Sequence, residues 1–177
     1  MDIKEEFSTK KIILLIMPGV EYNHIIIGVI KKLAEKNVVY VTLNKTYESL
    51  KELFKEKGVN TKNITFIDGI TKTIKKVPDS TDGCYFVSSP GALTEISIAV
   101  SKMLNHNFDY LIFDSLTNLL VYEKKAPVAR FVSDMVNKIR VSKTKAVFYA
   151  LSVKEQQSLI EESSMFVDEV IDMSKQK

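Results

Sequence analysis

Lys11-Ile-Ile-Leu-Leu-Ile-Met17, then Pro18-Gly-Val-Glu-Tyr-Asn-His24, then Ile25-Ile-Ile-Gly-Val-Ile30, decides the class of fold. The first seven residues are apolar after Lys11 and do not alternate with polar ones, which is the pattern of a strand buried on both faces in a parallel sheet. The last stretch continues to Lys36 with Val29, Ile30 and Leu33 at helical spacing, and predicts a buried helix over His24–Lys36. Between them the chain has seven residues in which to turn. A strand, a short loop and a helix in that order form the opening unit of an α/β domain.

The same alternation continues outward from this unit. Further strands are predicted at Val38–Leu43, Ile64–Ile67, Cys84–Val87, Asp109–Phe113, Lys145–Leu151 and Phe166–Ile171. Helices are predicted at Tyr47–Lys57, with Thr46 as N-cap and Gly58 as stop, and at Gly91–Leu104, with Pro90 in its first turn. Pro127–Arg140 keeps Val128, Phe131, Val132, Met135, Val136 and Ile139 in unbroken i, i+3, i+4 spacing. A last helix is expected from Ser152, where Ser152-Val-Lys-Glu155 has the form of a capping box. Asp68–Gly83 is weakly patterned and is expected as a surface loop. The fold expected is a doubly wound α/β fold, with a mostly parallel sheet and helices on both faces. One domain is expected over residues 1–177, with residues 1–10 as a short N-terminal extension.

Composition narrows the function classes. The 25 basic and 22 acidic residues are well mixed and give a net charge of +3, so no nucleic-acid partner is expected. No run approaches the roughly 18 apolar residues of a membrane span, and no membrane association is expected. The charged start, MDIKEEFSTKK, is unlike a signal peptide. A single cysteine, Cys84, leaves no intrachain disulfide and fits a reducing compartment, so the expected location is cytoplasmic. With only His24 and His106 beside it, clustered Cys/His metal binding is not expected, and no metal site is assigned.

The loop Pro18–His24 stands where a phosphate-binding loop, G-x-x-x-x-G-K-[ST], would follow the first strand. Anchored on Pro18-Gly19, Ile16 falls at the first glycine, and Glu21, Tyr22 and Asn23 fall at Gly-Lys-Ser/Thr. Glu21 adds a Cβ and a negative charge, Tyr22 is neutral where an ammonium would face phosphates, and Asn23 lacks the small hydroxyl. The plain reading is a strand–helix turn with Asn23 as N-cap. A helix N-terminus still attracts anions, so weak affinity for ATP and magnesium is the most that is expected, with no cofactor needed.

Asn107-Phe-Asp-Tyr-Leu-Ile-Phe-Asp114-Ser115-Leu-Thr-Asn-Leu-Leu120 resembles a Walker B strand of the RecA superfamily, in which the strand ends in Asp-Ser. The order of features adds to the likeness: strand, Pro-Gly and helix, then VVYVTLNKTYESLKELFKEKGVN, ITFIDGI, LTEISIAVSKML and VARFVSDMVNKIRVSKTKAVFYAL. Over roughly residues 10–172 the chain is similar to RecA/KaiC-like domains of the compact archaeal type, with a degenerate Walker A loop. That resemblance implies a magnesium-orienting role for Asp114. It also implies a strand order running from Phe166–Ile171 through Lys11–Met17, Lys145–Leu151 and Asp109–Phe113 to Val38–Leu43. Gly19, Asn23, His24, Asp114 and Ser115 would then form a vestigial nucleotide site on one rim.

KaiC-like ATPases commonly end the second strand in acidic residues, one of which activates water. This chain has Thr42-Leu43-Asn44-Lys45 there. Without the lysine, its Ser/Thr and the carboxylate, no catalytic residue is assigned. ATP hydrolysis is not expected, because phosphoryl transfer depends on positioning and charge neutralisation. The expectation is a non-hydrolysing, pseudo-ATPase domain with a regulatory or scaffolding role, whose partner is another protein or a second copy. A nucleotide binder with a non-standard loop is the alternative. A phosphoacceptor receiver domain lacks its acidic residues after strand one, and a dinucleotide or methyl-donor enzyme lacks its Gly-rich turn. Cys84 in an apolar strand is expected to be inert, His106 to be a polar turn, and Glu161-Glu162 a solvated face.

Overall fold

Residues 3–175 are described by the computed structural model. The first half of the chain forms α1 (Ile3–Thr9), β1 (Ile12–Met17), α2 (Tyr22–Lys32), β2 (Val38–Thr42), α3 (Tyr47–Glu56), β3 (Ile64–Asp68), α4 (Thr71–Ile74), β4 (Ser80–Thr81) and β5 (Cys84–Phe86). The second half adds α5 (Leu93–Leu104), β6 (Tyr110–Asp114), α6 (Leu116–Tyr122), α7 (Lys125–Val141), β7 (Lys145–Leu151), α8 (Gln157–Ser164) and β8 (Glu169–Asp172). The strands make one sheet in the order β4-β5-β3-β2-β6-β7-β1-β8. Every pairing is parallel except that of β4 with β5. From β8 to β2 this is the order the sequence resemblance implies.

All six residues of β1 are buried, because the sheet is covered on both faces. Ile12, Leu14 and Ile16 join a core with α5, α6, α7 and α8, whereas Ile13, Leu15 and Met17 join a second core with α1, α2 and α3. Residues from α7 reach the first core at Val128, Phe131, Val132, Met135, Val136 and Ile139, the stripe read from the sequence. Residues from α2 (Ile25, Ile26, Val29, Ile30) fill the second.

Several boundaries differ from expectation, each for a local reason. Asn23 does not cap α2: the helix starts at Tyr22, two residues before the expected His24, with Glu21 before it and no side-chain cap, after a 3-10 turn at Gly19–Glu21. The Ser152–Glu155 capping box does not form, because the Ser152 amide donates to the Met17 carbonyl at 2.9 Å and a 3-10 turn at Lys154–Gln156 precedes α8. Pro90 lies ahead of α5, which starts at Leu93. The last strand starts at Glu169 and not at Phe166, since the Phe166 amide is used in a turn to Ser163. The segment 68–83 holds α4 and the edge strand β4, and is more than a loop. Residues 3–9 form α1, whose Phe7 is buried in the second core and whose Phe7 carbonyl accepts the Tyr110 hydroxyl at 2.7 Å.

Thr46 does cap α3, its Oγ1 accepting the Ser49 N–H at 3.2 Å. Thr46→Ala is expected to cost about 1 kcal/mol in urea denaturation, and an unchanged midpoint would show that the bond contributes nothing. Among the described residues, no helix is long and apolar enough to cross a membrane.

Candidate functional site

In a parallel sheet the carboxyl ends of the strands share a rim, and ligands usually sit beyond it. On that rim β1 leads into Pro18–Glu21, β2 into Leu43–Lys45 and β6 into Asp114–Ser115. Alternation along β6 sends Phe113 into the first core and Asp114 toward the side of α2. There Asp114 is 0% exposed.

Its surroundings are phenolic. Tyr22, the first residue of α2 and 7% exposed, points inward, and its hydroxyl donates to Asp114 Oδ2. The Tyr40 hydroxyl, from β2, donates to the same oxygen at 2.6 Å. Tyr149 on β7 is also fully buried on this side, and its hydroxyl has no partner. Asp114 Oδ1 is likewise buried without one. The Lys45 ammonium lies over the Tyr22 ring, 5.8 Å from its centroid.

Burial pushes the Asp114 carboxyl up to about 6, while the Tyr22 and Tyr40 hydroxyls and the Lys45 charge hold it back. Burial, and then the Asp114 charge, pushes the phenols of Tyr22, Tyr40 and Tyr149 well above their usual range. They are therefore neutral donors, not bases. A carboxylate acting on a magnesium-bound water would need Oδ2 lone pairs turned to solvent. Here two O–H groups occupy them, and Oδ1, though unpartnered, is buried, so neither oxygen faces solvent.

The five residues singled out from the sequence are divided. Asp114 and Ser115 are buried at the head of the rim, where the Ser115 hydroxyl lies 3.0 Å from the Thr117 hydroxyl and donates to Asn118 Oδ1 at 3.2 Å. The peptide between Asp114 and Ser115 is cis. Gly19, Asn23 and His24 are exposed. A Cβ on Gly19 would meet nothing within 4 Å, so no close approach demands glycine there. Asn44 is exposed at the end of β2, close in sequence to a turn in which the Thr42 hydroxyl donates to the Lys45 carbonyl at 2.6 Å. Tyr22 is what joins the loop to Asp114, and Asn23 and His24 in the same turn face outward.

Sequence reading passed over Tyr22, Tyr40 and Tyr149 as site residues. The available signal was a phenol at apolar strand positions Tyr40 and Tyr149, since a buried tyrosine hydroxyl needs a partner. Asp68, at the end of β3, was passed over too. Its carboxylate accepts Ile70 N–H at 2.6 Å, Thr71 N–H at 2.8 Å, Tyr47 N–H at 2.7 Å and the Thr71 hydroxyl at 2.5 Å. Asp68 is thus fully engaged in holding the starts of α3 and α4. Burial, and then the Asp68 charge, pushes the Cys84 thiol up, which leaves it unreactive. Among the described residues no cluster of His, Cys, Asp and Glu could hold a metal ion.

The model of a family of unknown function, DUF7504, matches residues 32–173. No curated protein matches the chain in sequence. Among solved structures, the chain is similar to a KaiC-like protein of the hyperthermophilic archaeon Pyrococcus horikoshii, with a TM-score of 0.62 at 16% identity over 92% of this chain and 72% of that one. It is also similar to a second Pyrococcus horikoshii protein, with a TM-score of 0.60 at 12% identity over 98% of this chain and 88% of that one. At these identities the likeness is one of fold, and the fold is the KaiC-like, RecA-type α/β arrangement.

Proposed function

The chain belongs to the family of unknown function DUF7504, and from that premise we propose that it is a non-hydrolysing KaiC-like domain that acts through protein contacts. The contact at Asp114 supports this reading most directly. The residue at the lysine position of the phosphate loop is Tyr22, and it is folded inward onto the carboxylate that magnesium would use. In place of an ammonium facing solvent, the loop presents a buried phenol bonded to Asp114. The rim also has Asn44 where a water-activating carboxylate would stand. What such a framework retains is shape, presented to another protein or to a second copy of itself as a regulatory or scaffolding surface.

Calorimetric titration with magnesium-ATP, combined with amide shift mapping, tests this. The expected result is affinity no tighter than about millimolar, equivalent to roughly 4 kcal/mol of binding, with no shifts at Gly19–His24 and no phosphate release. A micromolar dissociation constant with shifts at Gly19–His24 would overturn the reading in favour of a nucleotide binder with a non-standard loop. Asn23 and His24 are exposed in the first turn of α2, where a helix N-terminus favours anions, so those amides are the ones to watch.

A further inference from the structure

The opposite rim, at the amino ends of the strands, has a different chemistry. Between the last turns of α5 and α7 lies a cavity of about 510 Å³ lined by Ser101, Leu104, Asn105, His106, Asn107, Lys138, Val141, Ser142 and Lys143. Its lining contains two lysines, a histidine, two amides and two hydroxyls, and no carboxylate. A second hollow of about 280 Å³ shares Asn107 and Lys143 with it and adds Lys36 and Lys145. Its one acid, Asp109, is already accepting the Asn37 N–H at 2.9 Å.

None of these lysines is in an ion pair among the described residues, and Asp109 is the one acid that lines either hollow. Among the described residues, the ion pairs use Lys10, Lys72, Lys75, Lys125, Arg140 and Lys175, and none uses Lys36, Lys138, Lys143 or Lys145. Lys138 is held by neutral hydroxyls, donating to Ser97 at 2.6 Å and Ser101 at 2.9 Å. Burial, and then the neighbouring Lys145 charge, lowers the Lys11 pKa, while the Asp168 charge opposes the shift.

The competing account is that the lysines serve the helix ends. Two helix C-termini bring roughly −0.5 charge each, about one unit in all. Lys138 and Lys143 alone exceed that, before Lys36 and Lys145 are considered. The terminal carbonyls are also engaged: the Asn105 amide donates to Lys102, His106 to Met103 and Ser142 to Ile139. A positive excess therefore remains in a cavity of ordinary ligand size.

We infer that this amino-rim cavity is a binding site for a small phosphate-bearing molecule, held by Lys138 and Lys143 with the side-chain amides of Asn105 and Asn107 beside them. Phosphate is favoured over a single carboxylate because two lysine charges match a group that carries close to two negative charges, and lysine binds phosphate as a point charge. The site is independent of the closed Asp114 rim, so either conclusion can fail without the other.

Amide shift mapping during titration with pyrophosphate tests it. Saturable shifts at residues 101–107 and 138–143 are expected, weakening as salt is raised because exposed charges are screened. Lys143→Glu, at an exposed position, is expected to weaken binding by at least about tenfold with unchanged melting temperature. Lys143→Gln should weaken it less, and Lys175→Glu on the other rim not at all. Shifts centred on Gly19–His24, equal shifts from chloride (an adventitious ion only), or tighter binding of citrate would each overturn the inference. So would tight binding of an oligonucleotide without any pyrophosphate response, or an unaltered affinity in Lys143→Glu.

Discussion

Asp68→Ala is expected to destabilise the protein by about 4 kcal/mol in urea denaturation, because a buried donor left without its acceptor costs about 1–3 kcal/mol and three N–H groups are affected. The carboxylate is 0% exposed and accepts the amides of Tyr47, Ile70 and Thr71 together with the Thr71 hydroxyl. Asp68→Asn keeps one acceptor oxygen and turns an NH2 toward donors, so it should fall between wild type and Asp68→Ala. A loss below about 1 kcal/mol, the size of an ordinary substitution, would show that water replaces the carboxylate. The ligand-independent readout matters here: the effect is on folding, and it requires no knowledge of function.

The second large effect is in the pH dependence of stability. Asp114 titrates at about 6 in the folded protein against 3.8 when unperturbed. The folded state therefore binds the more protons between those values, and stability must fall as pH rises through the window. Its contribution is fully present below about 3.8 and lost above about 6, a difference on the order of 3 kcal/mol. Asp79, Glu95, Asp168 and Asp172 are shifted the other way, so the wild-type curve mixes both signs. The clean observable is the difference between wild type and Asp114→Asn. The variant should gain relative stability between about pH 4 and about pH 6 and level off above it, and parallel curves would contradict the buried, tyrosine-capped carboxylate. The phenols facing Asp114 are Tyr22, Tyr40 and Tyr149, none of which titrates in this range.

Legibility differed sharply between framework and site. The β1 strand, the α7 stripe and the Thr46 cap could be read because each depends on residues within a few positions of one another. The sheet order followed from resemblance, and the hydrogen-bonded register agrees with it. Helix starts at Asn23 and Ser152 were misplaced because a capping side chain competes with other uses of the backbone. At Ser152 the amide was claimed by Met17, 135 positions earlier, to continue the β1–β7 ladder.

Sequence by itself determined that Pro18–His24 does not carry the lysine, hydroxyl and second glycine of a phosphate-binding loop, since residue types are read directly. It also determined the two-sided burial of β1, because six consecutive apolar residues leave no face for water. Only the tertiary structure decided what surrounds Asp114. Tyr22, Tyr40, Tyr149 and Asp114 come from four separate elements, and their convergence depends on strand order and on the two-residue period of β2, β6 and β7. The lysines of the amino rim are likewise scattered between Lys36 and Lys145. They meet because parallel strands place all their starts at one end, and no local pattern encodes that proximity.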